Sequence, residues 1–386
     1  MSNPPIDPKD SIARLVADGY DMILQNGHLI VRRIPYLTQS GLRHDGRLVL
    51  PVINVEGLIT DATDHRIWFA GEEPRDDNGG VLGSPDSHDF GVQERAGFMM
   101  SFKPPAGLYA SVYDKIRQYA HILRNAAWQV DPTVTDTPGG SYQVVPDDLP
   151  LVYPDTNTTR AGLITLNTLF RGHTIAIVGV GGTGSYILDQ VAKTWVDRII
   201  LIDGDGFETH NAYRAPGAAA IETVTAQPNK AEYFAAEYAR MHTGVTAHPV
   251  SLTADNLDLL DGATFVFLAA ADAETRPTIM QWLRARGVPF IDVGMSFREA
   301  DIGITGMVKV AAYLPGQEAP LPTAPALPPG EDDYSSNLQL AELNALNAVL
   351  AVIRWKRHIG FYATHEVSNL TVYKLFSNEV RNGDLE

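Results

Sequence analysis

The 386-residue chain contains no cysteine. That absence excludes disulfides, cysteine-ligated zinc or iron–sulfur centres, thiol nucleophiles and any thioester carried on the chain itself. Basic excess is also lacking: 30 Lys and Arg face 46 Asp and Glu, for a net charge of −16. A non-specific nucleic-acid binder needs a cationic footprint to displace phosphate counterions, so nucleic acid is not an expected partner. Long apolar runs are missing as well. The most apolar helix-like stretch, Leu338 to Ile353, is interrupted by Asn344 and Asn347 and is too short to span a bilayer. Met1 to Ile12 carries prolines and aspartates, with no apolar core of an export signal. A cytoplasmic protein that does not engage a membrane is expected. What is present, 45% apolar and 20% charged residues, suffices for one large or two ordinary domains.

Composition shifts between Asp131 and Thr159, where Pro132, Pro138, Gly139, Gly140, Pro146, Pro150 and Pro154 punctuate the chain. Residues preceding proline are pushed out of the helical region, which reads as a break. We expect a smaller α+β N-terminal domain over 1–130, a linker over 131–156, with packing as an extended segment left open, and a second domain over 157–386. In the first, Met22–Leu24 and Leu29–Val31 flank Asn26-Gly27, a dipeptide suited to a tight hairpin. Leu48–Val52 and Arg66–Ala70 read as strands. Tyr109–Leu123 reads as a helix with Val112, Ile116, Tyr119 and Leu123 on one face. Asp64, His65, His88 and Asp89 fit no common metal-ligand spacing and are expected in loops.

From Arg171 onward the rhythm becomes strand–helix alternation. Strands are expected at Thr174–Val178, Arg198–Ile202, Ala263–Ala269 and Pro289–Val293, with helices at Gly184–Trp195 and Asn229–Met241. This is α/β architecture, a doubly wound Rossmann-like and mostly parallel sheet. Between the first strand and its helix lies Gly179-Val180-Gly181-Gly182-Thr183-Gly184. Its glycines permit a tight turn and let the backbone approach a phosphate seated on the helix N-terminus. The loop alone does not separate NAD, FAD and ATP. Asp203, at the end of the second strand, takes the ribose-hydroxyl position of a dinucleotide fold, which keeps an oxidoreductase open. Asp205, Asn211, Arg214 and Lys230 follow, and Asp272 comes just after the next strand. Hydride transfer has no need of an arginine and a lysine here. A triphosphate does, with two cations on its oxygens and a carboxylate on Mg²⁺.

In this order and near this spacing, these residues resemble the ThiF/MoeB/ubiquitin-activating adenylyltransferase family, over roughly residues 157 to 386. Asp292-Val-Gly294 and Gly306-Met-Val-Lys309 resemble that family's later strands. The resemblance implies that ATP and Mg²⁺ activate the C-terminal carboxylate of a ubiquitin-like protein or a peptide as an acyl-adenylate. It implies phosphate contacts from Gly179, Gly181, Gly182 and Gly184. Asp203 and Asp205 line the nucleotide, with Asp203 on the ribose, while Asn211, Arg214 and Lys230 contact phosphates and Asp272 organises the metal. Arg160 resembles the arginine that homodimers of this family insert into the neighbouring subunit's site. Departures are Ala215 for the family's glutamine, Ala269 for the first acid of its Asp-x-x-Asp pattern, and Arg276 one position early. The zinc cysteine pairs and the thioester cysteine are missing. Adenylation needs neither, because the nucleophile is the substrate's carboxylate. A non-catalytic nucleotide-binding scaffold, with Ala215 and Ala269 as marks of decay, also stays open.

Pro315, Pro320, Pro322, Pro325, Pro328 and Pro329 make Pro315–Gly330 an extended segment that cannot pair as a central strand. In relatives of this kind the corresponding stretch tends to cross over the bound tail, and a disordered surface loop stays equally open. Ser336 with Gln339 has capping-box spacing and is expected to open a helix. Leu338, Leu343, Leu346, Leu350 and Ile353 are its expected apolar stripe.

Overall fold

The computed structural model describes residues 8–25, 27–51, 64–88, 90, 96–144, 149–153, 155–161, 163–270, 275–316, 320–321, 338–365 and 368–385. Asn26, Asp89, Asp272, Ser336 and the prolines from 322 to 329 lie outside the described residues. The chain divides into two compact units, 1–148 with 153–166, and 149–152 with 167–386.

In the first unit α1 (Pro8–Asp18) precedes β1 (Asp21–Gln25), β2 (His28–Leu37), β3 (Arg43–Pro51), β4 (Arg66–Ala70), β5 (Ser84–His88) and β6 (Ala96–Ser101). Then come α2 (Val112–Trp128), β7 (Tyr142–Val144) and α3 (Thr156–Ala161). The sheet order is β5-β6-β4-β3-β2-β1-β7. β1 and β2 form the expected hairpin, and Gly27 takes the positive φ (+67°) that the turn requires. Helix α2 is capped by Ser111, whose hydroxyl accepts from the Asp114 N–H at 3.1 Å. Val112, Ile116, Tyr119 and Leu123 are all buried, and with Met22, Leu29, Val31 and Leu48 they form this unit's core.

The 131–156 segment is not merely a linker. Tyr142–Val144 pairs in parallel with β1, and the N–H groups of Gly139 and Gly140 both donate to the Gly19 carbonyl. Residues 149–152 belong instead to the second unit, where Leu151 bridges His242. The first unit also runs on to residue 166, past the expected boundary at 156, because α3 packs on β3. Extended, proline-punctuated chain lacks helices but still offers N–H and C=O groups to a sheet edge.

The short α4 (Ile164–Asn167) leads along the chain to β8 (Thr174–Val178), α5 (Gly182–Val191), β9 (Arg198–Ile202), α6 (Thr209–Ala212), α7 (Ile221–Ala226), α8 (Lys230–Tyr238) and β10 (Val245–His248). β11 (Phe265–Leu268), α9 (Arg276–Ala285), β12 (Phe290–Glu299), β13 (Ile304–Tyr313), α10 (Ala341–His358), β14 (Leu370–Lys374) and β15 (Glu379–Gly383) complete the unit. Sheet order is β10-β9-β8-β11-β12-β13-β14-β15. The first five strands are parallel, with a topological switch between β8 and β11. The last three add an antiparallel meander to the parallel core. β8 and β9 have the expected bounds, and their buried Ile175, Ile177, Ile199 and Leu201 are the continuous apolar runs that a covered parallel sheet demands. Among the described residues, no helix is long and apolar enough to cross a membrane.

Helix α10 departs from its sequence reading in two ways. It starts at Ala341, with Leu340 rather than Ser336 at the N-cap. Its buried face includes Leu343, Asn344, Asn347, Ala348, Ala351 and Trp355, while Leu346, Leu350 and Ile353 are only half-buried. Reading the stripe by apolarity passed over two asparagines that sit on the buried face. The helix packs on α5, whose first turn presents polar groups.

Candidate active site

The glycine loop connects β8 to α5 at the switch point, where ligands bind in open α/β sheets. Its four glycines have different reasons for being glycine. Gly179 has φ +83°, donates its N–H to the Ile202 carbonyl at 2.8 Å, and a Cβ there would lie 2.2 Å from that of Ala270. A Cβ on Gly184 would meet the Gly179 carbonyl oxygen at 1.8 Å, and one on Gly182 would meet the Asn344 carboxamide at 2.3 Å. Only at Gly181, among these four, does a Cβ meet nothing within 4 Å. Three glycines therefore serve packing of the chain on itself. Gly181 is the position left open on the side that a ligand approaches, at the N-cap of α5, where the helix dipole favours an anion.

Asp203 follows β9 and is buried. One carboxylate oxygen accepts from the Val180 N–H at 2.7 Å and the other from the Asp205 N–H at 2.9 Å. It thus braces the glycine loop against the end of β9. Burial pushes its pKa up, against the opposing pull of Lys230 and of those two N–H groups. Lys230 is buried at the start of α8, and its Nζ reaches the exposed Asp205 carboxylate at 2.8 Å. Asn229 joins these pieces. Its Oδ1 caps α8 through the Ala231 and Glu232 N–H groups, and its Nδ2 donates to the Asp203 carbonyl at 2.8 Å. Sequence reasoning did not single out Asn229, although an Asn immediately before a helix is a strong N-cap signal.

Asn211 is buried in α6. Its Oδ1 accepts from the Glu208 N–H at 2.8 Å, and among the described residues its buried Nδ2 has no partner. An orphaned buried donor costs about 1–3 kcal/mol, and an acceptor supplied by a ligand removes that cost. Arg214 follows one turn later, its N–H on the Asn211 carbonyl at 3.1 Å. His210 is exposed and lies 3.3 Å from Glu208.

At the C-terminal end of β11, Leu268 pairs with Asp292 of β12, and Arg276 at the start of α9 reaches the Asp292 carboxylate at 2.9 Å. Burial raises the Asp292 pKa, with Arg276 and Lys309 pulling against it. The displaced arginine noted in the sequence thus has a carboxylate partner in Asp292.

The structure joins the glycine loop, Asp203, Asp205 and Lys230 by direct contacts. Asn211 and Arg214 join them through Asn344, which hydrogen-bonds both Thr183 and the Arg214 carbonyl. Arg160 belongs to α3 of the first unit. Asp272, the expected metal ligand, is outside the described residues. Among the described residues no cluster of three or more His, Asp or Glu is arranged to hold a metal ion. The fit to a nucleotide triphosphate rests on the open Gly181 position, the unpartnered Asn211 amide and the cation of Lys230.

Comparisons with known proteins bear on the fold. The ThiF family model matches residues 157–379, and a domain of unknown function (DUF6791) matches residues 10–156. Among solved structures, Escherichia coli MccB with MccA-N7isoASN is similar in fold, at 15% identity and a TM-score of 0.50. The match covers 60% of this chain and 72% of that one. MccB with AMPCPP and MccA matches with the same identity, coverage and TM-score. No curated protein is similar enough to match the chain.

Proposed function

The chain belongs to the ThiF family, and from that premise we propose that it is an ATP-dependent adenylyltransferase of the ubiquitin-activating type. Its substrate is the C-terminal carboxylate of a ubiquitin-like protein or a peptide, and it works as a homodimer. A carboxylate oxygen attacks the α-phosphorus of ATP, the bond to the β-phosphate oxygen breaks, and pyrophosphate leaves. The acyl group is then activated on AMP. The observation that carries this reading is the buried, unpartnered Nδ2 of Asn211 in the loop that also bears Arg214. A phosphate oxygen of a bound nucleotide is the acceptor it lacks, and the neighbouring cations of Arg214 and Lys230 favour a triphosphate over a dinucleotide.

The chain's own groups have the following roles in this reading. The Gly181 turn and the N-terminus of α5 receive phosphate oxygens. Asp203, already held by two backbone N–H groups, keeps lone pairs for the ribose hydroxyls. Lys230 and Arg214 neutralise charge that builds on the departing pyrophosphate. Asp272 would hold Mg²⁺, which when bound spreads the negative charge of the phosphates. Arg160 would be supplied by each subunit to the other's site. With no cysteine in the sequence, the adenylate passes to its acceptor without a thiol of this chain. That MccB has been solved with AMPCPP and MccA supports a site that takes a nucleotide and a second molecule.

The oxidoreductase reading rests on the glycine loop and Asp203 alone and leaves Lys230, Arg214 and Asn211 unused. The test is ATP–pyrophosphate exchange by the full chain with candidate tails ending in a free glycine carboxylate. Exchange is expected in the wild type and lost in Arg214→Ala and Asp272→Ala, both still folded by circular dichroism. Full exchange in both variants would sink the site assignment, and a thermal shift with NAD but not ATP would favour the oxidoreductase.

A further inference from the structure

We infer that Asn344, on the C-terminal helix α10, is a positioning residue for the nucleotide loop. It ties the glycine loop to the Arg214 segment through one carboxamide. The inference rests on the reading of this site as an ATP site.

Asn344 is completely buried. Its Oδ1 accepts from the Thr183 hydroxyl at 3.0 Å, and its Nδ2 donates to the Arg214 backbone carbonyl at 3.3 Å. The partners lie 161 and 130 residues earlier in the chain, so no local turn requirement explains the contact. A buried helix position facing another helix is ordinarily apolar, and further down the pair it is: Ile187, Leu188 and Val191 on α5, and Ala348 and Ala351 on α10, are all buried. One turn on, the buried Asn347 turns to a different neighbour, donating to the Gly294 carbonyl of β12 at 3.1 Å, so on α10 it is Asn344 that meets the turn following the glycine loop. There Ser185 donates to the Gly182 carbonyl at 2.8 Å and Thr183 donates to Asn344.

Gly182 records the same demand from the other side, because its missing Cβ is the space that the Asn344 carboxamide fills. A leucine at 344 would be a poor replacement. It would leave the Thr183 hydroxyl and the Arg214 carbonyl without these bonds and press a branched side chain onto Gly182. What the carboxamide fixes is relative position: the first turn of α5, where phosphate binds, and the segment that carries Arg214. An amide able to donate and accept at once suits that task, and aspartate does not.

The test uses the full chain and titrates ATP by calorimetry into the wild type, Thr183→Val, Asn344→Asp, Asn344→Ala and the Thr183→Val/Asn344→Ala pair, with melting temperature measured alongside. Thr183→Val keeps shape and removes only the donor to Oδ1. Asn344→Asp keeps that acceptor, removes the donor to the Arg214 carbonyl and sets a buried carboxyl against that carbonyl oxygen, so its loss is expected to be at least that of Asn344→Ala. Each single variant is expected to weaken ATP by about five- to tenfold, the worth of one or two buried hydrogen bonds. The double variant is expected to lose no more than Asn344→Ala alone, since both act through one link. Amide hydrogen exchange without nucleotide should quicken together at 181–185 and 211–216 in Asn344→Ala. A lower melting temperature with unchanged ATP affinity and unchanged exchange at 211–216 would overturn the inference, leaving Asn344 a packing residue. If the wild type itself does not bind ATP, the underlying reading falls and this inference with it.

Discussion

Alanine at Gly181 and at Gly184 should fail for different reasons, although the two glycines look equivalent in sequence. Gly184 lies inside α5, and a methyl there would stand 1.8 Å from the Gly179 carbonyl oxygen. That atom is backbone in a loop pinned to Ile202, so relief requires moving the loop rather than turning a side chain. Glycine-to-alanine in a helix interior gains about 1 kcal/mol. Overpacking of this kind costs about 1–3 kcal/mol or more, and so severe an overlap belongs at the upper end. The net loss is about 2 kcal/mol, or about 4–8 °C in melting temperature for a unit of this size. Gly181→Ala meets no neighbouring side chain or strand, but φ −72° with ψ −123° lies outside the backbone regions that alanine favours. Backbone strain and a poorer N-cap together cost about 1–3 kcal/mol. What sets this variant apart is its effect on ATP, because the methyl occupies the approach to the helix N-terminus. Losing one charge-assisted N–H contact weakens binding by about 10- to 100-fold. Differential scanning calorimetry and ATP titration on both variants separate the effects. Unaltered ATP affinity in Gly181→Ala, or a Gly184→Ala variant as stable as wild type, would refute this assignment of the glycines.

Lys230→Ala should abolish ATP–pyrophosphate exchange while costing under about 1 kcal/mol of stability, because its partner Asp205 is exposed and remains solvated; retained exchange in a steady-state assay would contradict its phosphate role. Asp203 has a pKa raised by burial, so the folded state holds its proton to a higher pH than the unfolded chain. Its contribution to stability is therefore full below the ordinary value of 3.8 and is lost as pH rises through the raised folded value. Denaturant titrations of wild type and Asp203→Asn should differ by that falling step, and a difference that rises with pH would reverse the sign of the argument. In the first unit, Ile116→Ala removes a fully buried side chain from the α2 face and should destabilise that unit by about 2–5 kcal/mol, read from its melting transition. A loss below 1 kcal/mol would mean the face is not the core.

Much of the second unit was legible in the sequence because its signals are local. β8 and β9 are uninterrupted β-branched runs, and the glycine loop lies between one of them and α5. The antiparallel meander was less legible, since β14 and β15 are short, half-exposed strands whose pairing is set by β13 rather than by their own pattern. Asn344 was visible only as a blemish in an apolar stripe. Its partners are far away in sequence, and nothing local distinguishes a buried amide from an exposed one. The role of Gly182 was hidden for the same reason. Tyr142–Val144 was obscured by the prolines and glycines around it, because strand addition at an edge needs backbone groups more than any side-chain pattern.

Adenylation makes a specific claim about one oxygen atom. A tail whose terminal carboxylate carries heavy oxygen is incubated with ATP and the full chain, and the activated acyl group is discharged onto hydroxylamine. The carboxylate oxygen that attacked the α-phosphorus then leaves with the nucleotide, so mass spectrometry should find the label in AMP, and Arg214→Ala should yield none. Label in inorganic phosphate, or unlabelled AMP beside a consumed tail, would contradict the account.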